Sequence, residues 1–258
     1  MDKGSLSFGD RVVWDSLDLD VAPGEFLAVL GPNGSGKTTL IKVLLGLLPL
    51  SSGNATIDGG PPRRGSPLVG YVPQQSGFDP AISLRGRDLV QLGLDGHRWG
   101  VPWSRSKRTD DAIEAVGARP YMSAPIGLLS GGEQQRLRIA QSLVGSPRLL
   151  LCDEPLLSLD LASQRAVVGL IESERRRAGF TVVFVTHEIN PVIRAVDRVL
   201  YVAGGRWAAG TVDEVLTGES LSDLYGAPVD VVRVRDRIVV VGGDWEPPSG
   251  GHHPGYGH

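Results

Sequence analysis

Five apolar residues, Phe26, Leu27, Ala28, Val29 and Leu30, run straight into Gly31-Pro32-Asn33-Gly34-Ser35-Gly36-Lys37-Thr38, with Thr39 next. This Gly-x-x-x-x-Gly-Lys-Thr spacing, after a strand and before a helix, constrains the 258-residue chain more than any other feature. Glycines let the backbone curl until successive N–H groups face one point, and the helix N-terminus adds partial positive charge there. Lys37 can then reach the β and γ phosphates of a nucleotide, and the Thr38 hydroxyl can ligate Mg²⁺. The pattern predicts a phosphate-binding loop over residues 31–39, and with it binding and hydrolysis of a nucleoside triphosphate, ATP.

Such a loop needs a carboxylate on a neighbouring strand to hold the metal. Asp153 meets that need, because it ends the apolar run Leu149, Leu150, Leu151 and Cys152. Glu154 follows at the strand end, where a carboxylate can polarise an attacking water. By itself an Asp-Glu pair after a strand reads as a solvated turn, and its pairing with the loop reverses that reading.

Strand and helix alternate along the chain as in a parallel α/β sheet. Residues 12–21 read as half-buried β structure, 26–30 as a buried strand and 37–48 as a helix. A Ser, Gly and Pro-rich stretch over 51–67 surrounds a short strand near 55–57, and 69–72 forms another. Helical periodicity over 82–143, around a loop at 93–106, marks an inserted helical lobe at about 82–145. Strands at 149–152 and 182–185 flank a helix at 162–177. A strand at 199–202 and a hairpin at about 229–241, turning at Arg235-Asp236-Arg237, close a domain of 1–242. Residues 243–258 are rich in Gly, Pro and His and are expected to be disordered.

Leu129-Ser130-Gly131-Gly132-Glu133-Gln134 adds a motif that the phosphate-binding loop alone does not imply. With it, the sequence resembles the ATP-binding cassette (ABC) ATPase family from about residue 6 to 210, its motifs standing in family order. The resemblance implies a P-loop NTPase fold of α/β class, with an N-terminal antiparallel β subdomain and an inserted helical signature subdomain. It further implies that Phe8 stacks on adenine and that Gln74, in Tyr71-Val72-Pro73-Gln74, joins metal, water and the mobile lobe. Asp160, in Ser158-Leu159-Asp160, would be the D-loop residue, and His187, in Thr186-His187-Glu188, would contact the γ-phosphate. Ser130, Gly131 and Gly132 would complete the nucleotide site of a second copy, in a head-to-tail dimer around two ATP molecules. Metal contacts would then come from Thr38, Gln74 and Asp153. The family commonly has glutamine where this chain has Glu133.

A formal net charge of -3 lacks the basic excess that a nucleic-acid binder uses, so nucleic acid is not an expected partner. The lone Cys152, within an apolar run, reads as a buried hydrophobe. No secretory signal opens the sequence and no apolar run approaches the ~20 residues that cross a bilayer. With one phosphate-binding loop and one signature, the chain resembles the separate ATPase subunit of a bacterial transporter built from several chains. That resemblance implies a cytoplasmic subunit, peripheral on the inner face of the membrane, that works through integral permease chains and an extracytoplasmic substrate-binding protein. Residues 213–241, with Leu221-Ser222-Asp223-Leu224-Tyr225-Gly226, resemble the C-terminal region of zinc/manganese importer ATPases. ATPases for iron-siderophore or haem import end similarly, and exporter subunits and non-transport cassette ATPases share the core motifs. The tail histidines His252, His253 and His258 could bind a metal loosely, although a polar tail needs no such role.

Overall fold

The computed structural model describes residues 1–74, 77–95, 106–235 and 237–242. Gln75, Ser76, the centre of the loop at 93–106, Asp236 and the tail with its three histidines lie outside the described residues. A six-stranded sheet in the order β5-β6-β7-β3-β8-β9 forms its centre. These strands are β3 (Phe26–Leu30), β5 (Val69–Val72), β6 (Leu149–Asp153), β7 (Thr181–Val185), β8 (Arg198–Ala203) and β9 (Arg206–Gly210). All neighbours pair in parallel except β9, which runs antiparallel to β8.

The inner strands are covered on both faces, which is why β3 and β6 read as unbroken apolar runs. Alternate residues feed two cores. Phe26, Ala28, Leu150, Cys152 and Phe184 point into one, shared with helices α2 (Gly86–Asp95), α3 (Lys107–Ala115), α4 (Gly131–Leu143) and α5 (Leu161–Ala178). Leu27, Val29, Leu151, Val183 and Val185 point into the other, with α1 (Lys37–Leu44) and the N-terminal strands. Burying two such faces is the main stabilising term, at roughly 25 cal/mol per Å² of apolar surface.

A three-stranded antiparallel sheet, in the order β2-β1-β4, packs over the second core: β1 (Asp2–Phe8), β2 (Arg11–Leu17) and β4 (Ser52–Asn54). Trp14 and Leu17 anchor it and are almost fully buried. Two short helices, α6 (Val212–Val215) and α7 (Gly218–Tyr225), precede the ribbon of β10 (Val229–Val234) and β11 (Arg237–Gly242). Asn190 ties that ribbon to the loop after β7, donating to Ile238 O at 2.9 Å and accepting from Ile238 N at 2.8 Å.

Several bounds differ from the sequence expectations. The β structure at 12–21 ends at Leu17, and the helix expected to reach residue 48 stops at Leu44. Gly46 turns there with φ 68°, and a side chain on it would strike the Arg63 backbone at 2.8 Å. The short strand near 55–57 is displaced to Ser52–Asn54, while Ala55 and Ile57 serve as apolar plugs under the small sheet.

Candidate functional site

The carboxyl ends of β3, β7 and β6, three adjacent strands, carry the candidate chemistry, the edge at which open parallel sheets bind ligands. After β3 the loop enters α1 through Gly31, Gly34 and Gly36, all with positive φ (142°, 78° and 105°). Gly31 tolerates no side chain, since a Cβ there would lie 2.1 Å from Val202 O of β8. A Cβ on Gly36 would meet Val13 Cγ1 at 2.3 Å. Gly36 is also the N-cap of α1 and has no side chain to bond the first turn, so the helix's free N–H groups remain available to an anion.

Lys37 is buried, and its Nζ donates to Gly31 O at 2.7 Å and Pro32 O at 3.0 Å, spanning the loop. Thr38 Oγ1 donates to Asp153 Oδ1 at 3.1 Å, so the two groups expected to hold a metal are neighbours. Burial pushes the Lys37 pKa down, against the opposing pull of Glu154 and Asp153. It pushes the Asp153 carboxyl up, with Glu154 adding to the rise and the Thr38 hydrogen bond and two lysines opposing it. Desolvation outweighs mutual attraction at both groups, so each is stabilised in its charged form by a further counter-charge: an anion for Lys37 and a cation for Asp153. Ser35 Oγ is buried without a hydrogen-bond partner among the described residues. An orphaned hydroxyl, a curled backbone and an uncapped helix start fit a triphosphate, and the Thr38–Asp153 pair fits Mg²⁺.

Glu154 is the first residue beyond β6 and has φ 48°, a left-handed conformation that costs a non-glycine residue about 1 kcal/mol or more. Its N–H donates to Val185 O of β7 at 3.0 Å, which holds the turn. Its Oε2 stands 2.8 Å from His187 Nδ1, with the carboxylate side chain 12 % exposed and the imidazole 47 %. Glu154 lines two cavities. One, of ≈ 360 Å³, also holds Phe8, Asn33, Lys37, Thr38, Thr39 and Gln74; the other, of ≈ 100 Å³, holds His187 and Gln164.

Phe8 closes strand β1 at the first cavity and is 53 % exposed, so it is not a core residue. Arg11, paired with it in the β1-β2 register, donates from Nη2 to Gly34 O at 2.9 Å, and Val13 completes the wall. Sequence reasoning missed Arg11 and Val13, because only strand pairing brings them to the loop. A larger cavity of ≈ 680 Å³ lies elsewhere, lined by residues such as Leu19, Leu143 and Phe180, and none of the expected site residues reaches it.

Ser130, Gly131, Gly132 and Asp160 do not line the cavity that holds Lys37 and form a second cluster. Ser130 caps α4 in a reciprocal box: its Oγ accepts from Glu133 N at 3.4 Å, while Glu133 Oε2 accepts from Ser130 N at 2.9 Å and Ser130 Oγ at 2.8 Å. Asp160 caps α5, accepting from the Ala162 and Ser163 N–H groups at 2.9 Å each. The two caps touch, since a Cβ on Gly132 would meet Ser163 Oγ at 3.2 Å and one on Gly131 would meet Leu159 Cδ2 at 3.4 Å. No helix among the described residues is long and apolar enough to cross a membrane. No group of three or more His, Cys, Asp or Glu among them could hold a metal ion.

Known proteins resemble this chain in sequence and fold. The ABC transporter family model matches residues 14–157, over half the chain. The zinc import ATP-binding protein ZnuC of Pseudomonas putida is 33 % identical over 88 % of this chain and 82 % of its own length. The zinc transport system ATP-binding protein TroB of Treponema pallidum is 37 % identical over 84 % of this chain and 82 % of its own. Among solved structures, an ABC transporter described as metal-chelate type, in an inward-facing conformation, superposes with TM-score 0.76 at 26 % identity, covering 93 % of this chain and 94 % of that one. CbiO1 of Clostridium perfringens, part of the cbiONQ transporter complex, gives TM-score 0.72 at 26 % identity over 86 % and 91 %. With a loop shaped for a triphosphate, a carboxylate pair at the carboxyl end of β6 and these likenesses over most of its length, the chain belongs to the ABC transporter family, as an ATP-binding subunit that hydrolyses ATP.

Proposed function

We propose that this subunit energises import of zinc through a separate integral permease, working on the cytoplasmic face of the membrane with an extracytoplasmic substrate-binding protein that delivers the metal. The cargo rests on the zinc import and zinc transport relatives, which align over most of both chains. The chemistry rests on one observation: Thr38–Asp153 and Glu154–His187 converge at the carboxyl ends of adjacent strands.

Lys37 and the loop N–H groups of residues 31–39 bind the phosphates, and Phe8 offers its exposed ring to the base. Thr38 and Asp153, with Gln74 of the same cavity lining, would hold Mg²⁺, which when bound neutralises phosphate charge and orients the γ-phosphoryl group. Glu154 accepts the proton of the attacking water at its carboxylate, and His187 orients that carboxylate and reaches the γ-phosphate. Ser130, Gly131 and Gly132 of a second copy, with Asp160 beside them, close the site from the far side. Each chain thus supplies half of two sites.

The test is ATP-dependent accumulation of radioactive zinc in vesicles carrying the permease that co-purifies with this chain. Uptake by the wild type and none by the Glu154→Gln variant is the expected result. Uptake of a metal chelate in place of zinc would instead favour the reading that the neighbour described as metal-chelate type suggests. ATP hydrolysis with neither cargo moving would remove the metal assignment.

A further inference from the structure

His187 stands on an arch, residues 186–190, whose two feet rest on different parts of the molecule. Thr186, buried just beyond β7, plants the first foot in the central sheet, its N–H donating to Val29 O of β3 at 3.1 Å. Its hydroxyl donates to Glu188 O and accepts from Glu188 N, both at 3.2 Å, which folds the crown of the arch around His187. The second foot is Asn190, and it rests on the C-terminal ribbon. Asn190 Nδ2 donates to Ile238 O at 2.9 Å while Oδ1 accepts from Ile238 N at 2.8 Å. One side chain thus takes both backbone groups of a single residue of β11.

The imidazole at the crown is half exposed, so packing around the ring does not fix it and its place depends on the backbone that carries it. Ile189 and Val192 are buried on either side of Asn190, and Val192 N donates to Ile189 O at 3.0 Å, making the second foot a closed turn. Burial of those two side chains holds the turn against the core without direction. The paired bonds of Asn190 are directional and set the register of the turn on β11. Ile238 is itself buried in the core that takes Ile189 and Val192, so the ribbon offers a fixed point. Pro191, next after Asn190, lines the cavity of ≈ 100 Å³ together with Glu154 and His187. The second foot and the Glu154–His187 pair therefore share a wall.

We infer that Asn190 is a positioning residue: by pinning the 186–190 arch to Ile238 of the ribbon, it holds His187 against Glu154. The inference rests on the proposed roles of His187 and Glu154 and adds the part of the fold that keeps them together. An asparagine suits the place because Ile238 presents one donor and one acceptor, and a short amide answers both. A carboxylate lacks the donor, and an apolar side chain lacks both. The ribbon thereby acts as a brace for hydrolysis, although none of its residues lines either cavity that Glu154 lines.

The test is a double-mutant cycle on the full chain co-purified with its permease, comparing Asn190→Ala, His187→Ala and the two together. Single-turnover release of radioactive phosphate, followed over hours, resolves the slow variants, and equilibrium titration gives the ATP Kd. A displacement of about 1 Å can cost a reaction about 100-fold, and Asn190→Ala, which loosens one foot of the arch, is expected to lower the hydrolysis rate about tenfold with Kd within about twofold. In the His187→Ala chain the same change is expected to cost nothing further, because Asn190 acts through the ring that is gone. Asn190→Asp, which keeps the volume and sets a carboxylate against Ile238 O, takes the place of Asn190→Ala if that variant does not fold. An unchanged rate, a tenfold loss that persists without His187, or a loss of ATP affinity that matches the loss of rate would each overturn the inference. His187→Ala separates the two levels: if it slows hydrolysis while Asn190→Ala does not, only the bracing role fails. If His187→Ala hydrolyses ATP as fast as the wild type, the reading of His187 fails with it.

Discussion

Two glycine-rich turns open helices in this chain, one before α1 and one before α4, and they are built in opposite ways. The loop before α1 is shaped by exclusion: Gly31 lies against Val202 O, Gly36 against Val13, and the helix start has no side-chain cap. The turn before α4 is closed, with Ser130 capping the helix and Glu133 accepting both the N–H and the hydroxyl of Ser130. Both present a helix N-terminus, yet only the first leaves its donors unspent for an anion. In the proposed pairing of two copies, the first half-site keeps its donors free for ligand, and at the second Ser130 would exchange a carboxylate for a phosphate when the other copy closes on it.

The largest expected effect separates binding from chemistry within the first half-site. Glu154→Gln keeps the shape of the side chain and its place beside His187 but removes the proton acceptor. Steady-state kcat falls about 10³-fold, within the range that a general base supplies, while ATP affinity measured by equilibrium titration stays unchanged. Appreciable turnover in this variant would move the base elsewhere.

Next comes a direct contrast between the two turns. Gly31→Ala forces a methyl group into a backbone oxygen at φ 142°, so it costs about 2–3 kcal/mol in urea unfolding and lowers nucleotide affinity about 100-fold. Gly131→Ala meets only a leucine methyl at 3.4 Å inside a helix, so its stability stays within about 0.5 kcal/mol of the wild type. Equal losses at both positions would remove the distinction.

Ser130→Ala has a smaller effect and a different signature. Losing the cap of α4 costs about 1 kcal/mol of stability, and turnover of the paired subunits falls about tenfold. Nucleotide affinity of the unpaired chain does not change, because Ser130 lies outside the cavity that holds Lys37. Affinity and turnover falling together would place Ser130 in the first half-site.

The same contrast explains what was legible in the sequence. The doubly covered strand β3 has the expected bounds, and β6 and β7 extend theirs by one residue each, because burial on both faces writes itself as an unbroken apolar run; the edge strand β5, with Tyr71 exposed, also keeps its expected bounds. Strand β1 carries only Gly4 and Leu6 as buried positions in seven residues, and no residue of β9 is fully buried, so neither shows a pattern. The phosphate-binding loop was readable because its glycines are required one by one. The Glu154–His187 contact joins residues 33 apart in sequence, and Arg11 reaches the loop only through the β1-β2 register. Spacing records neither contact, and the two N-terminal caps likewise meet only in the fold.

The smallest effect bears most directly on the closed turn. Glu133→Gln leaves an acceptor for Ser130 N, so the reciprocal cap persists and stability changes by less than about 0.5 kcal/mol. What it removes is a negative charge 2.8 Å from the Ser130 hydroxyl that, in the proposed pairing, would face a phosphate. Like charges at such an interface weaken association in low salt and are screened beyond about 10 Å at 0.1 M. Nucleotide-dependent pairing of two copies, followed by sedimentation in the Glu154→Gln background, is therefore expected to tighten a few-fold in low salt and to converge with the Glu133 chain as salt rises. A gain that persists at high salt would mean that the glutamine contributes a new hydrogen bond, and no gain at any salt would mean that Glu133 swings clear before the copies meet. The difference between the two turns would then lie in side-chain motion and not in charge.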